Sequence, residues 1–227
     1  MGACCCLNAA MTDADLQGLV AQELAFDPRI DASDIAIGAA AGVITLRGRI
    51  RSLTEKWQAI EDAKHVLGVA GIADELILEL RASHQRTDTD IARALATRFE
   101  SSTIVPEGVK FVVKEARVTL TGEVAWNYQR DEAIREARSV AGVREVVDDV
   151  LIEIAPPPAE EAVRERIHGA FARDAERTAK NIFVTVDDTT VILRGRVRSW
   201  MDRERAERAA WTFRGIARVD NRIEILP

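Results

Sequence analysis

Arginine occupies every second position in two short segments of the chain. The segments read LRGRIR over residues 46–51 and LRGRVR over residues 193–198. Alternate residues of a β-strand point to the same face, about 7 Å apart, so each segment predicts a row of guanidinium groups on one face. Such a row can bind the phosphate groups of lipids or other polyanions. The six side chains are Arg47, Arg49 and Arg51, and Arg194, Arg196 and Arg198.

Two alternatives to anion binding stay open for these arginine rows. The side chains can pair with carboxylates on a neighbouring strand, for which Glu75, Glu79 and Glu224 are candidates. Their aliphatic stems can instead pack against a neighbouring part of the molecule. A third segment, LTGEVA, keeps the glycine but has Thr121 and Glu123 at the arginine positions, so the fold does not require the arginines.

Large aromatic side chains with arginines beside them follow the strand segments, in the sequences AWNYQR and RSWMDRER. The candidate residues are Trp126, Tyr128, Trp200 and Arg203. Rings next to cations are typical of residues that enter a membrane interface. Contact between consecutive parts of the chain is the alternative for Trp126 and Trp200. The other two tryptophans, Trp57 and Trp211, are predicted to lie on helices and to be part of a hydrophobic core.

The residue types that usually carry catalysis are not arranged for it. His65, His84 and His168 fall at unrelated places of the repeat described below. The sequence has no nucleophile, phosphate-loop or dinucleotide motif, and no histidine pair has metal-ligand spacing. The three cysteines, residues 4–6, are adjacent and lack the spacing of a zinc site or a disulfide framework. We therefore predict a protein without enzymatic activity, cofactor or metal.

Composition and charge restrict the class further. The 227 residues are 47% hydrophobic and 30% charged, which is typical of a folded globular protein. The net charge of −6 disfavours a general nucleic-acid binder, although the last third of the chain is net positive. No apolar run of about 18 residues and no signal-peptide pattern is visible, so we expect a cytoplasmic protein. Residues 1–11 are expected to be a disordered extension.

Glycine marks a threefold repeat along the chain. Gly48, Gly122 and Gly195 align, and a second glycine follows twenty positions later in every copy. Apolar residues alternate around the first glycine, as they do in a half-buried strand. Alanines four positions apart come next, such as Ala59 and Ala63, and predict a helix that lies close to the sheet. We expect the first glycine to leave room for a side chain of that helix.

Each copy also begins with an amphipathic helix, so the complete unit is α-β-β-α-β with about 70 residues. The predicted fold class is α+β, with three tandem units that each place two helices on one face of a three-stranded mixed sheet. The predicted domains cover residues 12–82, 86–155 and 158–227. Because the linkers between them are short, we expect the units to touch.

The element order, the LxGxV strand, the alanine-spaced helix and the ending GVREVVDDVLIEI over residues 142–154 together resemble the BON domain. The resemblance runs from Thr12 to Leu226 as three tandem copies, and the first copy departs from it slightly through an extra Gly71. It implies a fold and no particular activity, since the matching positions are packing positions. Members of this family occur among envelope and osmotic-stress proteins for which binding of anionic phospholipid is proposed, and one cytoplasmic member binds potassium.

The residues and the resemblance together favour a non-catalytic binding or scaffold protein of osmotic or envelope stress that contacts anionic phospholipid surfaces. Arg194, Arg196 and Arg198 would supply the charge, and Trp200 would enter the lipid interface with help from Trp126. Cytoplasmic potassium binding and docking of a protein partner are the two alternative hypotheses. Nucleic acid is not expected as a partner.

Overall fold

The computed structural model of the protein describes residues 12–80, 86–153, 156, 158–171 and 182–226. These residues form three units, with unit 1 at residues 12–80, unit 2 at residues 86–153 and unit 3 at residues 158–171 and 182–226. The expected extension at residues 1–11 lies outside the described residues, and so does His84.

The elements of each unit follow the same order. Unit 1 contains α1 (Asp13–Phe26), β1 (Ile35–Ala40), β2 (Val43–Ile50), α2 (Leu53–His65) and β3 (Gly71–Leu78), with a short 3-10 turn at Ala32–Asp34. Unit 2 contains α3 (Asp88–Ser101), β4 (Lys110–Lys114), β5 (Arg117–Val124), α4 (Asn127–Ser139) and β6 (Glu145–Ile152). Unit 3 contains α5 (Glu160–Phe171), β7 (Ile182–Asp187), β8 (Thr190–Val197), α6 (Trp200–Ala210) and β9 (Arg218–Ile225).

The second strand lies in the middle of every sheet. It pairs antiparallel with the first strand and parallel with the third. A tight turn is enough to join the antiparallel pair, whereas the parallel pair needs a crossover, which the second helix supplies. The predicted α+β class with mixed three-stranded sheets is confirmed.

The core of each unit lies between its sheet and its two helices. In unit 1 the side chains of Ile44, Leu46 and Ile50 are fully buried beneath Ala59 and Ala63 of α2, which are fully buried as well. The equivalent residues of the other units are buried in the same way: Val118, Leu120, Val124, Ala133 and Ala137 in unit 2, and Val191, Leu193, Val197, Ala206 and Ala210 in unit 3. Alanine lets the second helix approach the sheet closely, which explains why it repeats.

The first glycine of the repeat has a different role from the expected one. Gly48, Gly122 and Gly195 have φ angles of 141°, 122° and 140°, which residues with a Cβ atom rarely adopt. A Cβ atom on Gly48 would lie 1.9 Å from the carbonyl oxygen of Asp34, and one on Gly122 would lie 2.3 Å from that of Gly108. The expectation that this glycine leaves room for a helix side chain is therefore wrong. The backbone leading into the first strand is what comes close.

Serine begins the second helix in units 1 and 3. The Oγ atom of Ser52 accepts a hydrogen bond from the backbone N–H of Glu55 at 3.0 Å, and Ser199 accepts one from Asp202 at 3.1 Å. In unit 2 this position is Trp126, which cannot cap the helix in the same way. The repeat therefore does not explain why a tryptophan is present there.

The three units pack together through their second helices, because α2 contacts both α4 and α6. Leu53 at the start of α2 is buried in the hydrophobic cluster of unit 2, and Trp57 and Trp211 pack against the same cluster. Trp211 also packs against the cluster of unit 3. The two rings thus pack against hydrophobic cores, as predicted, but for Trp57 this is the core of another unit and for Trp211 the cores of two units. Both rings are half-buried where units meet.

The sheet faces turned away from the helices are open to solvent. Ile77, Val112, Leu151 and Phe183 lie on these faces and are 63%, 64%, 68% and 69% exposed. The arginines of the two rows follow these outward faces in units 1 and 3, where Arg47, Arg49, Arg194, Arg196 and Arg198 are exposed and Arg51 is half-buried. Exposure of these five side chains disfavours packing of their stems against a neighbouring unit.

Candidate functional site

Every arginine of the unit 1 row has a carboxylate partner. The pairs are Arg47 with Glu75 at 2.5 Å, Arg49 with Glu79 at 3.4 Å and Arg51 with Asp31 at 2.6 Å. The hydrogen bond from Arg47 holds the pKa of Glu75 below its usual range. The pairing alternative is confirmed for Arg47 and Arg49, whose partners are the two expected glutamates, whereas Arg51 pairs with a carboxylate outside the strands. The row therefore keeps little charge free for another ligand.

The unit 3 row is paired only in part. Arg196 donates from Nε to Glu224 Oε2 at 3.1 Å. Arg194 and Arg198 are exposed, and no carboxylate of the residues that the structure describes lies within 4.0 Å of either guanidinium. Two guanidinium groups of this row therefore keep their charge available to a ligand.

More arginines lie beside this row on β9. Arg222 binds Asp220 at 2.6 Å. The hydrogen bond from Arg222 is the main cause that lowers the pKa of Asp220, and the charges of Arg218 and Arg194 lower it further. One carboxylate thus stands among three arginines, which leaves the outward face of unit 3 with an excess of positive charge.

The sheet register places an exposed aromatic ring next to the unit 3 row. Phe183 on β7 lies opposite Arg194, and its side chain is 69% exposed. The equivalent partner of Arg47 in unit 1 is Ala36. Only the outward face of unit 3, among the three that the structure describes, therefore combines an arginine row with an aromatic ring.

The aromatic candidates lie on the helix side of the sheets, where the three units meet. A cavity of ≈ 1190 Å³ opens between the second helices, and every unit contributes to its wall. All four tryptophans of the chain and its only tyrosine line this cavity: Trp57, Trp126, Trp200, Trp211 and Tyr128. The rings of Trp126 and Tyr128 stack with their centroids 6.4 Å apart.

Cationic side chains lie against these rings. Arg203 lies 5.2 Å from the ring centroid of Trp200 and donates to the carbonyl oxygen of Asn221 at 3.0 Å within its own unit. The guanidinium carbon of Arg138 in unit 2 lies 3.5 Å from the ring centroid of Trp57 in unit 1. Burial lowers the pKa of Arg138. The cavity is therefore both aromatic and charged.

The residues predicted from the sequence form two separate groups. The arginine rows face solvent on the outward sheet faces. Trp126, Tyr128, Trp200 and Arg203 line the cavity on the other side of the sheets. Trp200 therefore does not share a surface with the unit 3 arginine row.

Sequence reasoning did not find Lys64 and Arg138, which also line the cavity. A signal was present in the repeat, because Lys64, Arg138 and Trp211 all lie sixteen positions after the first glycine of their copies. This position faces the other units, and it carries a long cation or a large ring in every copy. Alignment of the three copies could therefore have indicated that this position lies where the units meet.

The residues that the structure describes contain no group of three or more His, Cys, Asp or Glu side chains that could hold a metal ion. Over the same part of the chain, no helix has the length and apolar character needed to cross a bilayer.

Comparison with known proteins gives one relative and a family. The Escherichia coli (strain K12) protein named osmotically-inducible protein Y is 28% identical over 145 residues, which cover 62% of this chain and 72% of the relative. Two solved structures of CdsD, described as a structural protein of the type III secretion system of Chlamydia trachomatis, are each 14% identical to this chain. They cover 95% and 94% of this chain and 100% and 93% of their own lengths, with TM-scores of 0.25 and 0.24. TM-scores of this size carry no argument about function.

The family result agrees with the repeated architecture. The sequence model of the BON domain matches residues 12–79, 87–154 and 159–227. Each match contains one complete set of the five elements described above. Since the three matches together span most of its length, this chain belongs to the BON domain family.

Proposed function

We propose that the chain is a non-catalytic binding protein and that the outward sheet face of unit 3 contacts anionic phospholipid surfaces. The observation that carries this proposal is the contrast between the two arginine rows. Arg194 and Arg198 have no carboxylate within 4.0 Å among the described residues, whereas each arginine of the unit 1 row has one. An exposed guanidinium without an acidic partner can donate two hydrogen bonds to phosphate oxygens.

The exposed ring of Phe183 supports the choice of a lipid surface. A lipid headgroup layer offers phosphate to the arginines and an apolar region to a ring that lies beside them. Phe183 lies directly opposite Arg194 and is open to solvent. In this proposal Phe183 takes the role that the sequence suggested for Trp200, because Trp200 lines the cavity on the other side of the sheet.

The name of the Escherichia coli relative, osmotically-inducible protein Y, supports a role in the response to osmotic stress. We propose the same physiological setting for this chain. Contact with a membrane surface through a few arginines is weak and falls with ionic strength, so it would be reversible and sensitive to salt.

Vesicle binding tests the proposal. The double variant Arg194→Ala with Arg198→Ala should bind equimolar phosphatidylglycerol and phosphatidylcholine vesicles more weakly than the parent chain. Each arginine near an anionic surface contributes about 1 kcal/mol, so we expect an affinity loss of about 30-fold in a co-sedimentation assay. Higher salt should weaken binding of the parent chain.

The unit 1 row supplies the matched control. Arg47→Ala with Arg51→Ala removes the same number of arginines from the same positions of the repeat, but these side chains are already paired with Glu75 and Asp31. This variant should keep its affinity for anionic vesicles. Equal binding of the parent chain to vesicles of phosphatidylcholine alone, or equal losses in the two variants, would contradict the proposal.

A further inference from the structure

The cavity between the second helices gathers every tryptophan and tyrosine of the chain, although the positions of these residues in the repeat are not equivalent. Trp126 stands where the other copies have Ser52 and Ser199 as helix caps. Trp211 stands where the other copies have Lys64 and Arg138. The fold of a single unit therefore does not require these rings. Their common location is a property of the assembled three-unit chain.

The rings do not close the space between the units. The cavity of ≈ 1190 Å³ stays open between them, and Tyr128 is 57% exposed. Sites for small molecules in proteins are commonly about 300–1,000 Å³ and are lined by aromatic side chains with a few polar groups. The cavity is therefore large enough for a small molecule and has the composition of such a site.

Arg138 gives the cavity a preference for negatively charged ligands. Its guanidinium is half-buried and stacks on Trp57. Burial is the main cause that lowers its pKa, and the charges of Glu61, Asp131 and Asp148 oppose this shift. No carboxylate of the described residues lies within 4.0 Å of it. A half-buried cation without an anion at contact distance is stabilised when an anion binds, because the anion replaces the lost water.

The other charges of the cavity, apart from that of Arg208, have partners inside the protein. Lys64 lies 2.7 Å from Glu61 and 3.6 Å from Glu204, and Arg130 lies 2.5 Å from Asp148. Glu207 accepts a hydrogen bond from the side-chain amide of Asn221 at 3.0 Å, and Asp131 accepts one from that of Asn127 at 2.8 Å. Arg208 also lines the cavity but is exposed. Arg138 is thus the half-buried cation best placed to receive an external anion.

We propose that this cavity binds a small organic anion that carries a flat aromatic ring. The ring lies against the tryptophan side chains, and the anionic group accepts hydrogen bonds from Arg138. Because every unit contributes to the wall, the bound molecule also holds the three units together. This site is separate from the lipid-facing sheet of unit 3, so a test of anion binding in the cavity does not depend on the proposed function.

A pair of probes that differ mainly in charge tests this site. The probes are 8-anilinonaphthalene-1-sulfonate and its neutral analogue N-phenyl-1-naphthylamine. We expect the sulfonate to bind and to quench tryptophan emission by energy transfer, since all four tryptophans line the cavity. Arg138→Gln removes the charged hydrogen-bond donor. This variant should bind the sulfonate about tenfold more weakly than the parent chain does and should bind the neutral probe equally well.

Arg135 on the same helix is the matched control, because its side chain is 73% exposed and it pairs with Glu132. Arg135→Gln should bind the sulfonate as the parent chain does. Arg138→Lys keeps the charge without the flat guanidinium, so its affinity should lie between those of the parent and Arg138→Gln. Equal affinity for the two probes would overturn the proposal, as would unchanged sulfonate binding by Arg138→Gln. The unit 3 variant Arg194→Ala with Arg198→Ala should leave sulfonate binding intact, and a parallel loss there would also overturn it.

Discussion

The same residue type at the same position of the repeat has different consequences in units 1 and 3. Arg47 pairs with Glu75 and Arg196 pairs with Glu224, and both pairs are separated by 28 residues because the strand register is the same. Arg194 is equivalent to Arg47 but faces Arg222 in the register. One substitution on the third strand therefore decides whether an arginine is neutralised or stays available.

Gly48 is a position where replacement by alanine should be costly. The alanine would have to adopt a φ near 141° and place its Cβ atom 1.9 Å from the carbonyl oxygen of Asp34. We expect Gly48→Ala to lower the free energy of unfolding by at least about 2 kcal/mol, measured by urea denaturation. The control is Gly18→Ala on the exposed face of α1, where nothing lies within 4 Å. That change should raise stability by about 0.5–1 kcal/mol, and equal effects of the two changes would contradict this account.

The carboxylates of Asp27 and Asp62 should shape the pH dependence of stability in opposite directions. Burial is the main cause that raises the pKa of Asp62 above 3.8, and the nearby charge of Asp27 raises it further. The folded chain therefore holds this proton more tightly than the unfolded chain, so the contribution of Asp62 to stability declines as pH rises above 3.8. Asp62→Asn keeps an acceptor for the side-chain amide of Gln58 and removes the charge. We expect it to melt at a higher temperature than the parent at pH 7, with the difference fading below pH 3.8.

Asp27→Asn should show the opposite dependence of melting temperature on pH. Hydrogen bonds from Arg29 lower the pKa of Asp27 to about 2, so its stabilising effect is present above pH 3.8 and is lost as pH falls toward 2. This variant should melt at a lower temperature than the parent at pH 7. Calorimetric scans across this pH range check both variants. A melting temperature of Asp62→Asn that is lower than that of the parent at pH 7 would contradict the direction given for Asp62.

Among the elements, the strands and helices could be predicted from the sequence because each has one apolar face set by the core of its own unit. Ile44, Leu46 and Ile50 alternate, and Ala59 and Ala63 are four apart, so the periods alone indicate a strand and a helix. The second helix, however, has a further face that contacts other units. Periodicity within one unit cannot show what covers that face, so the sequence predicted that Trp57 is a core residue but not that it packs against unit 2.

The same limit applies to the candidate site. Alternation placed the arginine rows on the outward sheet faces, but it could not show which arginines have carboxylate partners. That depends on the strand register and on loop residues such as Asp31, which lies close to Arg51 only in the folded chain. The reason given for the glycine repeat was wrong because a close backbone contact leaves no periodic signal in the sequence.

The N-cap serines of the second helices should contribute to stability in a way that is independent of any ligand. Ser199 accepts a hydrogen bond from the backbone N–H of Asp202 at the start of α6. We expect Ser199→Ala to lower the free energy of unfolding by about 1 kcal/mol in thermal denaturation. Ser139 at the end of α4 is the control, because its hydroxyl donates to a carbonyl oxygen of its own helix at an exposed position. Ser139→Ala should stay within about 0.5 kcal/mol of the parent.

The three units of the molecule should not be independent in stability. Leu53 belongs to unit 1 but is buried in the hydrophobic cluster of unit 2. We expect Leu53→Ala to lower the stability of unit 2 by about 2 kcal/mol, seen as faster hydrogen exchange of backbone amides in α4 and β5. Leu67 in the same unit is 65% exposed, and Leu67→Ala should leave this exchange unchanged. Exchange that increases in unit 1 alone after Leu53→Ala would contradict the packing described.

The outward position of the sheets has an evolutionary consequence for the whole chain. A residue on these faces contributes little to any core, so it can change after duplication of the unit without loss of the fold. The copies differ in this way at two aligned positions. These positions hold Arg47 and Arg49 in unit 1, Thr121 and Glu123 in unit 2, and Arg194 and Arg196 in unit 3. Residues where the second helices meet contact more than one unit, so a change there alters the packing of two units at once. Duplication has therefore left the outward surfaces free to differ from copy to copy, while the contacts between units restrict the helix surfaces.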